Sequence, residues 1–312
     1  MTKRQVALVC ATLVALFYAI NFSSAKEVTP EHIGPFGLTW YRVIFTCAIF
    51  WTISLFAGPK EKVPFKELPL IALAAFCGVG FNMVTFMWGL SLTTPITASV
   101  LMVTTPIIVA VLSAIFLKEH LHFWKVLGIG LGFSGAAFLI FLSSTPNQVA
   151  ADPFLGNILI FLNALSYSFY ILLAKKLTKK YHVFTLMKWL YLFGVLFITP
   201  FGIQQGLGFD VSNASSHVIL NIAYVVIFAT FGTYMLNIIA IRTLKPSVVA
   251  VFVYLQPLLA ALIAVALGTD ELTWVKAAAG AVIFLGVYLA GKKSKRELSE
   301  KLLSNSNENV GV

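Results

Sequence analysis

The chain has 312 residues, 59% of them hydrophobic and 11% charged, with a formal net charge of +10. Soluble domains carry about a quarter charged residues, so a mean hydropathy of +0.90 excludes an ordinary water-soluble fold. Nucleic-acid binding would need the basic excess on one face with aromatic or polar readers, whereas here the charges sit in short gaps between apolar runs.

About 20 apolar residues in a helix cross a bilayer. Runs of that kind are predicted over 6–24, 36–57, 68–91, 95–117, 124–143, 154–174, 184–204, 217–241, 246–267 and 274–291, so the expected fold class is all-α integral membrane with ten transmembrane helices. The first run follows Lys3-Arg4 and precedes Ser23-Ser24-Ala25, the order of a secretory signal. It is long for a signal core and is copied later in the chain, so it is expected to stay as a span. With the N-terminus inside, 19 of the 22 Lys and Arg fall on the inner side, leaving Lys26, Arg42 and Lys276 outside. The positive-inside rule then puts both ends in the cytoplasm, with the protein in the cytoplasmic (inner) membrane.

In the second span Arg42 follows Trp40-Tyr41 and sits on the order of 9 Å along the helix at 1.5 Å per residue. Two readings stand. Its guanidinium offers a planar fork to a carboxylate or phosphate, or it snorkels to the outer interface beside the two aromatics.

The fourth span, Pro95 onward, is repeated 151 residues later. Pro95 falls on Pro246, Val100 on Val251, Pro106 on Pro257, Ala110 on Ala261, Lys125 on Lys276 and Gly135 on Gly286. An offset of 149 sets Ala15, Tyr18, Lys26 and Trp40 on Ala164, Tyr167, Lys175 and Trp189. The repeated unit holds five spans, an odd number, so two tandem copies insert in opposite orientations, as in many secondary transporters. The expected units are 1–145 and 152–291, with a cytoplasmic tail over 292–312. Pro106 and Pro257 each remove a backbone donor, so the carbonyls of Met102 and Val253 need other partners. A kink at matching depth in both halves is a candidate hinge; a static bend is the alternative.

In the fifth span Gly130 to Gly135 spell GxGxxG, but no strand precedes them and the next acid is Asp152, so the dinucleotide-binding context is missing. Gly128 and Gly132 make GxxxG, a signal for close helix packing within the bundle or in a dimer; monomer and homodimer both stay open. Asn213-Ala214-Ser215 is a glycosylation sequon on the expected outer side, of a kind that arises often by chance.

Polar groups at helical spacing form a second set of candidate substrate contacts. Tyr18 and Asn21, then Asn163, Tyr167 and Tyr170, then Tyr234 and Asn237 each share one helix face, and Asn82, Ser99 and Gln256 join them. The competing reading of each is interhelical hydrogen bonding, worth about 0.6 kcal/mol. All 12 acids and five histidines lie in loops, tails or span ends, so no proton relay runs through the hydrocarbon. Cys10, Cys47 and Cys77 lie inside apolar runs and lack metal or redox spacing. No cofactor or metal is expected, and no catalytic constellation is visible.

The stretch ASVLMVTTPIIVAVLSAIFLKEHL with the Gly-rich span after it, its second copy VFVYLQPLLAALIAVALGTDELTWVKAAAGAVIFLGV, and ALSYSFYILLAKKL over 164–177 resemble the EamA branch of the drug/metabolite transporter superfamily. The resemblance covers nearly the whole chain. It implies ten helices, a central cavity between the halves and passage of small metabolites by alternating access. Gln256 stands where that family often has Glu, and Thr269-Asp270-Glu271 where it usually has Gly-Glu, so a carboxylate-based coupling is not carried over. The expected partners are a small-molecule substrate and membrane lipids, with no nucleic acid. Mixed aromatics and amides suit an amphipathic metabolite such as an amino acid, moved outward. A non-transporting membrane partner and a phosphorylated-metabolite exchanger remain as alternatives.

Overall fold

A computed structural model describes residues 2–56, 61–117, 123–142, 150–236, 240 and 246–290. The tail over 292–312, Asn237, Lys118, Arg242 and Lys245 lie outside the described residues. The described chain is helical throughout: α1 Lys3–Val28, α2 Pro35–Phe56, α3 Phe65–Leu92, α4 Pro95–Met102, α5 Thr105–Leu117, α6 Phe123–Leu142, α7 Pro153–Leu177, α8 Val183–Leu207, α9 Ser216–Leu236, α10 Pro246–Ala266 and α11 Trp274–Ala290. Among the described residues eight segments are long and apolar enough to span a membrane, α4 and α5 together making one of them, and α10 and α11 supply further apolar helix.

Local chemistry accounts for where these helices start. Asp152 accepts from the Leu155 backbone N–H at 3.1 Å, and Thr94 accepts from Thr97 N–H at 3.4 Å. A proline follows each cap, at a position whose N–H would have no helical partner in any case. Ser215, the last residue of the sequon, is spent in the same way, capping α9 through Val218 N–H.

Pairing between helices follows the repeat. The seam of α2 with α8 and the seam of α6 with α11 each join matching spans of the two copies, and α3 with α7 has its counterpart in α1 with α9. Exchanging one copy for the other therefore maps these four interfaces onto one another. The α6–α11 seam explains the glycine spacing. A Cβ on Gly128 would meet Ala290 N at 2.3 Å, and one on Gly286 would meet Gly132 N at 2.6 Å, whereas one on Gly130 would meet nothing within 4 Å. The GxxxG spacing thus serves packing inside this chain.

The two prolines do not act alike. The first copy breaks: α4 ends at Met102, Val103 and Thr104 form a turn, and Pro106 stands in the first turn of α5. In the second copy Pro257 lies inside the continuous helix α10. Side chains supply the reason. Thr104 and Thr105 donate to the Leu101 and Met102 carbonyls at 2.7 and 2.8 Å, so the carbonyl freed by Pro106 has the partner it needs. Leu255 and Gln256 precede Pro257 and carry no such hydroxyl. The two prolines thus differ in local backbone, a break at Pro106 and an unbroken helix at Pro257.

A second pair of irregularities is matched. Wide π-helical turns occur at Phe76–Gly80 in α3 and at Ile227–Gly232 in α9, whose first residues are 151 apart. Such turns are rare and often mark functional sites.

Candidate functional site

Arg42 carries the charge of the site. Only 5% of it is exposed, so it turns inward rather than snorkelling beside Trp40 and Tyr41. Those two aromatics bond α8 instead, Trp40 donating to Thr199 Oγ1 at 3.1 Å and Tyr41 to the Gly206 carbonyl at 2.8 Å. Arg42 Nε donates to Thr230 Oγ1 at 2.9 Å and Nη1 reaches Met87 Sδ at 3.2 Å. Thr230 can accept because its own proton goes to the Val225 carbonyl at 2.7 Å, five residues back across the π-turn. Among the described residues no carboxylate pairs with Arg42.

Tyrosines surround this charge. Tyr18, Tyr191 and Tyr234 lie within electrostatic reach of the guanidinium, and Tyr167 and Tyr170 within reach of Tyr18 and Tyr234. The Tyr191 and Tyr234 rings meet edge-on at 5.6 Å, and those of Tyr167 and Tyr170 are also 5.6 Å apart. The Tyr191 hydroxyl is buried without a hydrogen bond of acceptable geometry, as is Asn21 Oδ1. Five tyrosines and one arginine from α1, α2, α7, α8 and α9 thus form one amphipathic cluster that draws on both copies.

Other sequence candidates make hydrogen bonds of their own. Asn82 and Asn163 clamp α3 to α7 by donating to one another's backbone carbonyls at 3.1 and 2.7 Å. Ser99 donates to the Ile96 carbonyl at 2.8 Å inside α4. Gln256 is half-buried on α10. Tyr191 is the member that residue spacing missed. The 149-residue offset that pairs Tyr18 with Tyr167 also sets Arg42 on Tyr191 and Asn21 on Tyr170, so the repeat held the signal.

A polar network links the copies at the ends of the helices expected to face outside. Asp270 Oδ2 accepts from the Ile96 N–H at 2.9 Å, at the start of α4. Lys276 Nζ donates to Asp270 Oδ1 at 2.5 Å and to the Glu271 carbonyl at 2.8 Å. Asp270 and Lys276 are 9% and 7% exposed. Lys26 donates to the Ser91 carbonyl at 2.7 Å close by. Asp270 and Lys276 thus belong to the packed interior and not to a solvated loop.

Comparison with known proteins agrees with this architecture. The chain is 25% identical over 281 residues to an uncharacterized transporter of Archaeoglobus fulgidus, covering 90% of this chain and 96% of that one. It is 29% identical over 237 residues to the uncharacterized transporter YdfC of Bacillus subtilis, covering 75% and 73%. A solved crystal structure shares the fold with a TM-score of 0.61 at 17% identity, over 92% of this chain and 98% of its own. The model of the EamA-like transporter family matches twice, over residues 5–141 and 154–291. With nearly the whole chain accounted for by those two matches, the protein is a member of the EamA-like transporter family, a multi-pass membrane transporter.

Proposed function

We propose that this transporter moves a small amphipathic metabolite, an amino acid or related compound, outward across the cytoplasmic membrane by alternating access between two inverted repeats. The observation that carries the reading is Arg42, buried at a cluster of five tyrosines and, among the described residues, without a carboxylate partner. A buried charge is costly unless paired, and a solute with one anionic group and an apolar body would supply the missing partner. Its acid group would meet the free N–H groups of Arg42, and its body the rings of Tyr167, Tyr170 and Tyr234. A polyphosphorylated solute fits less well, since Arg42 is the one cation in this cluster. The broken fourth span and its unbroken partner α10 suit a carrier resting in one of two facing states.

Thermal stability of the purified protein against the twenty amino acids and simple monocarboxylates tests the reading, because a ligand of the folded state stabilises by mass action. A tenfold excess over Kd raises stability by about 1.4 kcal/mol, and the compound that does so should show saturable flux in proteoliposomes. A panel without any stabilising compound or saturable flux rules the proposal out. Flux measured in right-side-out and inside-out vesicles reads the direction.

A further inference from the structure

The seam between α2 and α8 carries a groove of about 550 Å³ lined by Ile44, Cys47, Ala48 and Trp51 of α2 and Leu192 and Val195 of α8. The four α2 residues follow i, i+3, i+4 and i+7, so they share one helix face. Four residues before Leu192 comes Lys188, on the same face of α8. Its ammonium lies 5.3 Å above the Trp51 ring and donates to Ser54 Oγ at 2.9 Å. The Trp51 indole donates to the Lys188 carbonyl at 3.2 Å. An apolar trough thus ends in a cation, a hydroxyl and an indole. Among the described residues no carboxylate lies within ion-pair distance of Lys188.

Depth matches that chemistry. Trp51 is five residues from the end of α2 at Phe56, and Lys188 five residues from the start of α8 at Val183. Both therefore lie about 7–8 Å along their helices from the same membrane face. Tryptophan is enriched at that level, and Trp189 packs on Trp51 with centroids 5.9 Å apart. On the expected topology this face is cytoplasmic, where anionic lipids concentrate.

We infer that the groove is a binding site for an anionic phospholipid, with an acyl chain along Ile44, Ala48 and Val195 and the phosphate against Lys188 and Ser54. A second copy of the chain is a poorer occupant. A twofold contact applies the same patch to itself, which would bring two Lys188 ammoniums toward each other with no acid between them.

Native mass spectrometry of the purified full chain titrated with phosphatidylglycerol or phosphatidylcholine of identical acyl chains tests the site. One lysine near the lipid surface is worth a preference of about fivefold, so phosphatidylglycerol should bind about that much more tightly. Lys188→Ala should remove the preference and Lys188→Arg should keep it. Ala48→Phe, which fills the groove, should weaken both lipids, and the Lys188→Arg result distinguishes a lost site from a lost fold. Equal binding of the two lipids to the unmodified chain, a preference that survives Lys188→Ala, or a dimer that Ala48→Phe dissolves, would each overturn the inference.

Discussion

Arg42 has five N–H donors and contacts two neutral partners, Thr230 and Met87. Burying a charge this way lowers the stability of the empty protein, and residues kept for function often carry such a cost. Arg42→Gln should therefore raise the stability of the ligand-free protein, by on the order of 1 kcal/mol, while abolishing stabilisation by any anionic ligand. A fall in melting temperature would assign Arg42 a structural role instead. Outside the spans, the Asn213 amide and the Ser212 N–H hold the Asp210 carboxyl below the ordinary carboxylate range. A depressed folded pKa contributes stability that is present above the unfolded value near 3.9 and lost as pH falls through the folded one. The α8–α9 connection should accordingly stay ordered to below about pH 4, and Asn213→Ala should move the Asp210 midpoint upward in a carbon-detected titration.

At the scale of elements, backbone irregularities lie beside the candidate site. The π-turn in α9 turns Thr230 toward Arg42, and its counterpart in α3 leaves Gly78 so close to Tyr170 that a Cβ there would meet the ring at 2.4 Å. The Cys77 carbonyl in that same turn accepts from Ser166 at 2.7 Å, fixing α7 beside it. Hydropathy has no term for a single wide turn, so the sequence pointed to the prolines as a candidate hinge or static bend and gave no sign of either π-turn. Glycine spacing was legible, but its partner was not. Gly128 and Gly286 face backbone across the α6–α11 seam, whereas Gly130 faces open space. Gly286→Ala should cost about 1–3 kcal/mol by overpacking, while Gly130→Ala should be neutral or stabilise by up to about 1 kcal/mol through helix propensity. Thermal unfolding in one detergent checks both, and equal losses would show that the seam is not packed this closely.

Across the whole molecule, the copies meet through the tyrosine cluster, the two self-matching seams and the Asp270–Lys276 pair. That pair is buried and also caps α4, in the other copy. Removing one partner leaves an uncompensated charge, a loss of about 3–5 kcal/mol. Asp270→Asn should therefore destabilise strongly, and Lys276→Met added to it should recover part of the loss. If the double variant is as unstable as Asp270→Asn alone, capping of Ile96 outweighs the ion pair. Reporter fusions near residues 150 and 210 should read as exterior, since five spans per copy put both opposite an N-terminus that the charge bias places inside.

Composition, charge bias and two constant offsets were enough to specify a doubled all-helical membrane protein, because bilayer thickness and backbone hydrogen bonding leave helices of one length range as the solution for such runs. The same offsets already paired Tyr18 with Tyr167 and Arg42 with Tyr191. Only the tertiary structure decided which polar groups converge. Asn82 and Asn163 have the spacing of site residues yet bind each other's backbone, and Asp270 looks like a loop acid yet lies in the interior. Helical periodicity fixes the face a side chain occupies, but what that face meets depends on helices far away in the chain.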